Sequence, residues 1–251
     1  MIKEIIENKI REIEASKKNM PLSSFKSKLE ISKRNFKAAI SKNKLNLIAE
    51  FKKTSPSKNI ANNNPDLKKT IEIYGRYADA ISILTDKKYF NGSLNELNDA
   101  SKLTNLPLLR KDFIIGEYQI YESRFYNADA ILLIASILKN KQMKRFIGIA
   151  EKYGMHCIVE VHTEKELKMA LECDAEIIGI NNRNLDTLEI NTNTTLSLAE
   201  KIPKGKVIVS ESGISSKEYV EKINGNVNAI LVGSYFMNSE NIEESIKSLI
   251  N

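Results

Sequence analysis

Short apolar runs punctuate the chain at Leu45–Lys52, Asp79–Leu84, Leu106–Arg110, Asp129–Ala135, His156–Val161, Glu176–Asn181, Lys206–Ser210 and Asn228–Gly233. Most give way to Glu, Lys, Ser, Asn or Gly at the C-terminal end, and their length suits buried strands. Segments with helical apolar spacing alternate with them: Pro65–Ala78, Leu94–Leu103, Glu117–Asn127, Lys141–Tyr153, Thr163–Leu171, Thr192–Lys201, Ser216–Ile223 and Ile242–Ile250. Asn140 or Thr163 is placed to cap a helix, and Glu166, three residues after Thr163, completes a capping-box pattern. Strands alternating with helices predict parallel β/α units, and eight such units close into a (β/α)8 TIM barrel.

Ahead of the first strand, Ile2, Ile5, Ile6, Ile10 and Ile13 recur on one helical face, which predicts an extra helix. Pro21–Ala39 follows, with Leu22, Phe25, Leu29 and Ile31 among lysines and serines, and reads as a further helix or an irregular cover. Both lie outside the repeat. At 251 residues, without a Pro/Gly/Ser-rich linker, the chain is expected to form one domain over residues 1–251, with 1–44 as a helical extension.

A hydrophobic fraction of 42% is ordinary for a globular protein, and no apolar run approaches a bilayer span. Residues 1–20 lack the continuous apolar core of a secretory signal, so the cytoplasm is the expected location and no membrane partner is expected. The net charge of +6 is spread along the whole chain. No basic run is interleaved with aromatics, which argues against nucleic acid, although the excess charge can steer a small anion. Cys157 and Cys173 have neither CxxC spacing nor a His/Cys cluster around them, so they read as small apolar fillers and no metal is expected.

In such a barrel the strand C-termini converge on one face, where chemistry is expected. Glu50 and Lys52, two residues apart, face the same side of the first strand, as an ordinary ion pair or as a reactive pair. Lys111 and Glu160 leave the third and fifth strands at equivalent depths, a candidate acid and base across one pocket. Asn181, Asn182 and Arg183 follow the sixth strand and suit hydroxyls and a carboxylate. Gly213 and Gly233 follow the seventh and eighth; each alone is a tight turn, but together at that point they favour a phosphate. Tyr89 and Phe90 are a loop anchor or a wall against an aromatic ring. His156 and His162 flank the fifth strand, and nothing in the sequence singles out either.

Six blocks in order, Ile48–Lys52 through Ser55-Pro56-Ser57, Leu109–Ile115, Val159–His162, Gly179–Leu185, Glu211–Ile214 and Leu231–Ser234, resemble the indole-3-glycerol phosphate synthase family over nearly the whole chain. The resemblance implies a carbon-carbon lyase (carboxy-lyase) of tryptophan biosynthesis. It would convert 1-(2-carboxyphenylamino)-1-deoxyribulose 5-phosphate into indole-3-glycerol phosphate, carbon dioxide and water, with neither metal nor organic cofactor. Lys111 would be the acid for ring closure and Glu160 would assist the later loss of water. Lys52 would contact substrate and act in dehydration with Glu50 as its partner or as a base, the division of labour among the four staying open. Asn181 and Ser212 would orient the reacting groups, Glu211 would shape the same face, and Arg183 would hold that network. Ser55, Gly213, Gly233 and Ser234 would seat the phosphate, while Phe90, Phe113, Leu132 and Leu185 would line the pocket for the aromatic ring.

The extension would cover the barrel mouth, and the enzyme is expected as a free-standing monomer or weak homodimer. The sequence departs from the family at Asn59, where Gly is common, and it contains no Trp. Two rivals stand beside this reading. A phosphoribosylanthranilate isomerase would need a Cys at the end of the first strand, where Glu50 and Lys52 stand instead. A non-catalytic phosphate-binding barrel would not need Lys111 and Glu160.

Overall fold

Strands β1 (Asn46–Phe51), β2 (Ala80–Leu84), β3 (Leu108–Lys111), β4 (Ala130–Ile134), β5 (His156–Val161), β6 (Ile177–Asn181), β7 (Val207–Glu211) and β8 (Ala229–Val232) pair in sequence order, all in parallel. The last strand returns to the first through Asn46 opposite Ala229, closing the barrel. The computed structural model describes residues 2–54, 65–185 and 187–250. The predicted (β/α)8 fold is therefore the observed one. The third strand starts later than its apolar run, because Pro107 has no N–H to give a neighbour; its carbonyl still accepts from Ile81.

Alternation along the strands makes two cores. Leu47, Ala49, Phe51, Ile81, Ile83, Val159, Val161 and Ile178 point outward and pack under the helices. Ile48, Ala80, Leu109, Leu132, Ile158, Ile177, Val209 and Leu231 fill the barrel interior. Each buried Val, Leu, Ile or Phe among them contributes about 1.5–3 kcal/mol by leaving water. At the C-terminal ends the inward sequence turns from apolar to Glu50, Lys111, Glu160, Asn181 and Glu211, so the same alternation that builds the core delivers the polar cluster. Cys173 is buried, Cys157 packs against the outer core, and both thiols are free.

Helix starts follow local chemistry. Asp66 accepts from the Lys69 N–H to open the helix Leu67–Tyr77, and Thr163 accepts from the Glu166 N–H to open Glu164–Glu172. The capping box predicted there is only half formed, because the Glu166 carboxylate reaches one residue further, to the His162 N–H at 2.7 Å. Asn140 is the first residue of the helix Asn140–Lys152 and does not cap it; its amide reaches Glu172 instead.

The N-terminal segment serves both ends of the barrel. On the helix Ile2–Asn19, Ile5 joins the interior core, and the buried Lys9 ammonium lies 2.7 Å from Asp86 and 2.8 Å from Asp112, just beyond β2 and β3. Phe25 then packs edge-on against Tyr118 on the barrel's flank. Beyond it Arg34 pairs with Asp129, Lys37 with Glu176 and Lys42 with Asp79, and each of these acids immediately precedes a strand. Phe36 and Ile40 are buried there, in the interior core. Only the first helix reaches the mouth: the expectation that all of 1–44 covers it is corrected by these contacts at the opposite end.

Among the described residues Asp86 pairs with Lys9 alone, whereas Asp112 also has Arg110. Lys9→Met is expected to lower unfolding stability by about 3 kcal/mol, since it leaves a buried carboxylate without its partner. The urea midpoint measures this; an unchanged midpoint would show that the pairing adds nothing.

Candidate active site

Three strand ends bring opposite charges together inside the mouth. Glu50, from β1, lies 2.6 Å from the Lys52 ammonium and 3.0 Å from that of Lys111, and Lys111 also stands 3.2 Å from Glu211 of β7. Glu50 and Glu211 are buried, and an isolated charge there would be costly. Burial pushes the Glu50 carboxyl upward, but Lys111 and Lys52 outweigh it and hold the group at about 2. Burial works against the Lys111 ammonium, yet Glu50, Glu211 and Glu160 raise its pKa well above that of an ordinary lysine. Glu211 goes the other way: burial, reinforced by Glu160 and Glu50 and opposed by Lys111, pushes its carboxyl up to about 7. Lys111 is thus a fixed cation between one firmly ionised carboxylate and one that titrates near neutrality.

Two glycines make room for this cluster. A Cβ at Gly233 would collide with the Glu50 carboxylate, and one at Gly179 with that of Glu211. Gly233, expected for backbone approach to phosphate, therefore has a second cause for its missing side chain. Gly213 is needed for its backbone, with φ of 74°, and Ser212 before it also has a positive φ of 66°. That left-handed conformation is unusual for serine and marks local strain next to the cluster.

A cavity of about 600 Å³ opens over these groups. Glu50, Lys52, Phe90, Lys111, Phe113, Leu132, Glu160, Asn181, Arg183, Leu185, Ser212, Gly213, Gly233 and Ser234 all line it. Glu211 does not; it lies fully buried beneath, touching Lys111. Ser55 and Asn59 lie outside the described residues. Phe90 and Phe113 have ring centroids 6.3 Å apart, making an aromatic wall on one side. Phe90 belongs to a short helical turn, Lys87–Phe90, capped by Asp86, not to an open loop. Across the cavity, residues 212–215 and 232–235, with Asn238 and Ser239, bring the turns after β7 and β8 to its edge.

Arg183 serves its own loop: its guanidinium donates to the Leu188 carbonyl, and its N–H donates to the Asn181 side chain. Asn182 points outward and ties Thr195 to Ser210, so of the two adjacent amides only Asn181 lines the cavity. Residues not anticipated include Ile2 and Ile5, which line the mouth from the N-terminal helix, and His162, wedged between Glu160 and Glu166. Glu160 lies near the end of β5 and His162 follows directly after the strand, but the partner Glu166 is brought in by the following turn.

The family described as indole-3-glycerol phosphate synthase matches residues 2–249. The chain belongs to that family. Among its relatives, "Tryptophan biosynthesis protein TrpCF" of Buchnera aphidicola subsp. Acyrthosiphon pisum is 43% identical over 249 residues, covering 99% of this chain and 55% of that protein. The chain thus spans about half the length of that relative. "Indole-3-glycerol phosphate synthase" of Endomicrobium trichonymphae is 46% identical over 173 residues, 68% of this chain and 67% of that one. Its namesake in Leptospira interrogans is 48% identical over 168 residues, 67% of each. Among solved structures, KGPDC from Streptococcus mutans superposes with a TM-score of 0.62 at 15% identity, covering 82% of this chain and 96% of that chain. At that identity the likeness shows the barrel fold alone. No helix of the described residues is long and apolar enough to cross a membrane.

Because the folded state raises the Glu211 pKa from 4.5 to about 7, the unfolded chain loses this proton first as pH rises. Glu211 therefore removes stability across that window, with its favourable effect complete below pH 4.5. Glu211→Gln, which can still accept from Lys111, is expected to flatten the decline in stability between pH 5 and pH 7.5 relative to wild type. Urea unfolding at the two pH values measures it; parallel slopes would place the Glu211 titration elsewhere.

Proposed function

We propose that this chain catalyses the conversion of 1-(2-carboxyphenylamino)-1-deoxyribulose 5-phosphate into indole-3-glycerol phosphate, carbon dioxide and water. The observation that carries the reading is the Lys111 ammonium, held between Glu50 and Glu211 at the floor of a cavity with aromatic rings at one side and glycine turns at another. The substrate has matching ends, a carboxyphenyl ring and a phosphate. Phe90, Phe113, Leu132 and Leu185 receive the ring, and the backbone around Gly213, Gly233 and Ser234 receives the phosphate.

The ketose carbonyl then lies over Lys111. The ring carbon bearing the carboxylate attacks that carbonyl, and Lys111 protonates the oxygen as the new carbon-carbon bond forms. Breaking the bond to the carboxylate releases carbon dioxide and returns its electron pair to the ring. The hydroxyl leaves as water, taking one proton, while a C–H proton next to nitrogen is removed; Glu160 and Lys52, with Glu50 beside it, are the groups at hand. Asn181 and Ser212 orient the intermediate, and Arg183 supports them by bracing its loop. The N-terminal helix covers the mouth through Ile2 and Ile5. The enzyme works on this one phosphorylated small molecule in the cytoplasm, as a monomer or weak homodimer.

Lys111→Ala is expected to stay folded and lose turnover by a factor on the order of 10³. Fluorescence of the indole product, followed for wild type and variant together, checks it; undiminished turnover in the variant would remove Lys111 from the closure step. Ser234→Asp sets a carboxylate beside the phosphate and is expected to raise KM about tenfold or more with little change in kcat. An unchanged KM would move the phosphate to another part of the cavity.

A further inference from the structure

His162 has no part in the steps above, yet its ring bridges the catalytic face and the outside of the barrel. Its Nδ1 lies 3.3 Å from Glu166 Oε2, the oxygen that also accepts the His162 backbone N–H. Its Nε2 lies 3.5 Å from Glu160 Oε1, and both atoms are buried without a hydrogen-bond partner, each facing the other. Side-chain exposure rises along the series, from 2% at Glu160 to 12% at His162 and 18% at Glu166. The three groups thus form a graded path from the buried carboxylate toward solvent.

Resting on the function proposed above, the chemistry creates a need for such a path. Starting from the substrate carboxylate, one proton goes to the ketose oxygen and one to the departing hydroxyl, while one is taken from carbon. Each turnover therefore consumes one proton, which must enter from solvent.

We propose that Glu166, His162 and Glu160 form the conduit that carries this proton inward. With Glu166 ionised, Nδ1 keeps its hydrogen and Nε2 is left free to exchange a proton with Glu160. Glu160, whose charge is felt by Lys111, then restores the site for the next closure. His162 acts through Glu160 and does not touch the substrate. The charged groups that face it are Glu160 on β5, Glu166 on the following helix and, further off, Glu211 on β7. Burial works against the imidazolium, but these carboxylates outweigh it and raise the His162 pKa above 6.5.

The test uses the full chain with the carboxyphenylamino substrate, comparing wild type, His162→Gln and Glu166→Gln. For His162→Gln we expect kcat to fall roughly ten- to a hundredfold with KM within about twofold. Wild-type kcat should decline as pH rises through the imidazole pKa, because the delivering form is the protonated one, and the variant should lose that limb. Added imidazole should restore part of the rate, and Glu166→Gln should move the limb to lower pH. A His162→Gln enzyme with wild-type kcat and an unchanged pH profile overturns the conduit alone. So does a slow variant that keeps the limb and is not rescued by imidazole, which would make His162 structural. A wild type that forms no indole product overturns the underlying reading and the conduit with it.

Discussion

The arrangement depends on burying like and unlike charges together where three strands end. Glu50 and Glu211 lie out of water with the Lys111 ammonium between them; Lys52 shares in holding Glu50 ionised, while burial pushes Glu211 toward its neutral form. The lysine in turn would shed its proton in a dry mouth were it not flanked by acids. This mutual dependence fixes much else nearby. Gly179 and Gly233 are bare because the two carboxylates occupy the space of their side chains. An ammonium stabilised in this way yields its proton only to a strong base, such as the alkoxide that would develop in the proposed ring closure.

The N-terminal segment joins the two ends of the barrel, pairing with acids at one and reaching the candidate site at the other. At the strand N-termini, Arg34, Lys37 and Lys42 meet acids that precede β4, β6 and β2. Asp79 and Asp129 also accept backbone N–H groups of Leu47 and Leu108, so each acid ties strand starts together while holding the strap. At the mouth, Lys9 fastens the first helix to Asp86 and Asp112, the residue after Lys111. The helix that supplies Ile2 and Ile5 to the cavity is therefore anchored through the backbone segment that carries the central lysine.

The barrel and most of the candidate site were legible in the sequence because both follow from one rule, alternation along a strand. Once Ile48 and Leu109 face inward, Glu50 and Lys111 must as well, and depth along the strand sets their common level. What alternation does not describe was not legible. The path of residues 20–44 down the flank depends on ion pairs between positions far apart in sequence, such as Lys37 and Glu176. His162 gained meaning only through Glu166, whose carboxylate bypasses the capping-box position to reach the His162 N–H. Gly233 reads in the sequence as a tight turn or a phosphate seat, and nothing there shows that Glu50 fills the space beside it or that Glu211 fills the space beside Gly179.

The most direct test is a crystal structure with an unreactive substrate analogue in which the ketose carbonyl is reduced to an alcohol. The predicted result places that oxygen within hydrogen-bonding distance of Lys111 Nζ, the ring against Phe90 and Phe113, and the phosphate at the turns of Gly213 and Gly233. An analogue bound with its phosphate on the aromatic side, or with the alcohol remote from Lys111, would contradict the account.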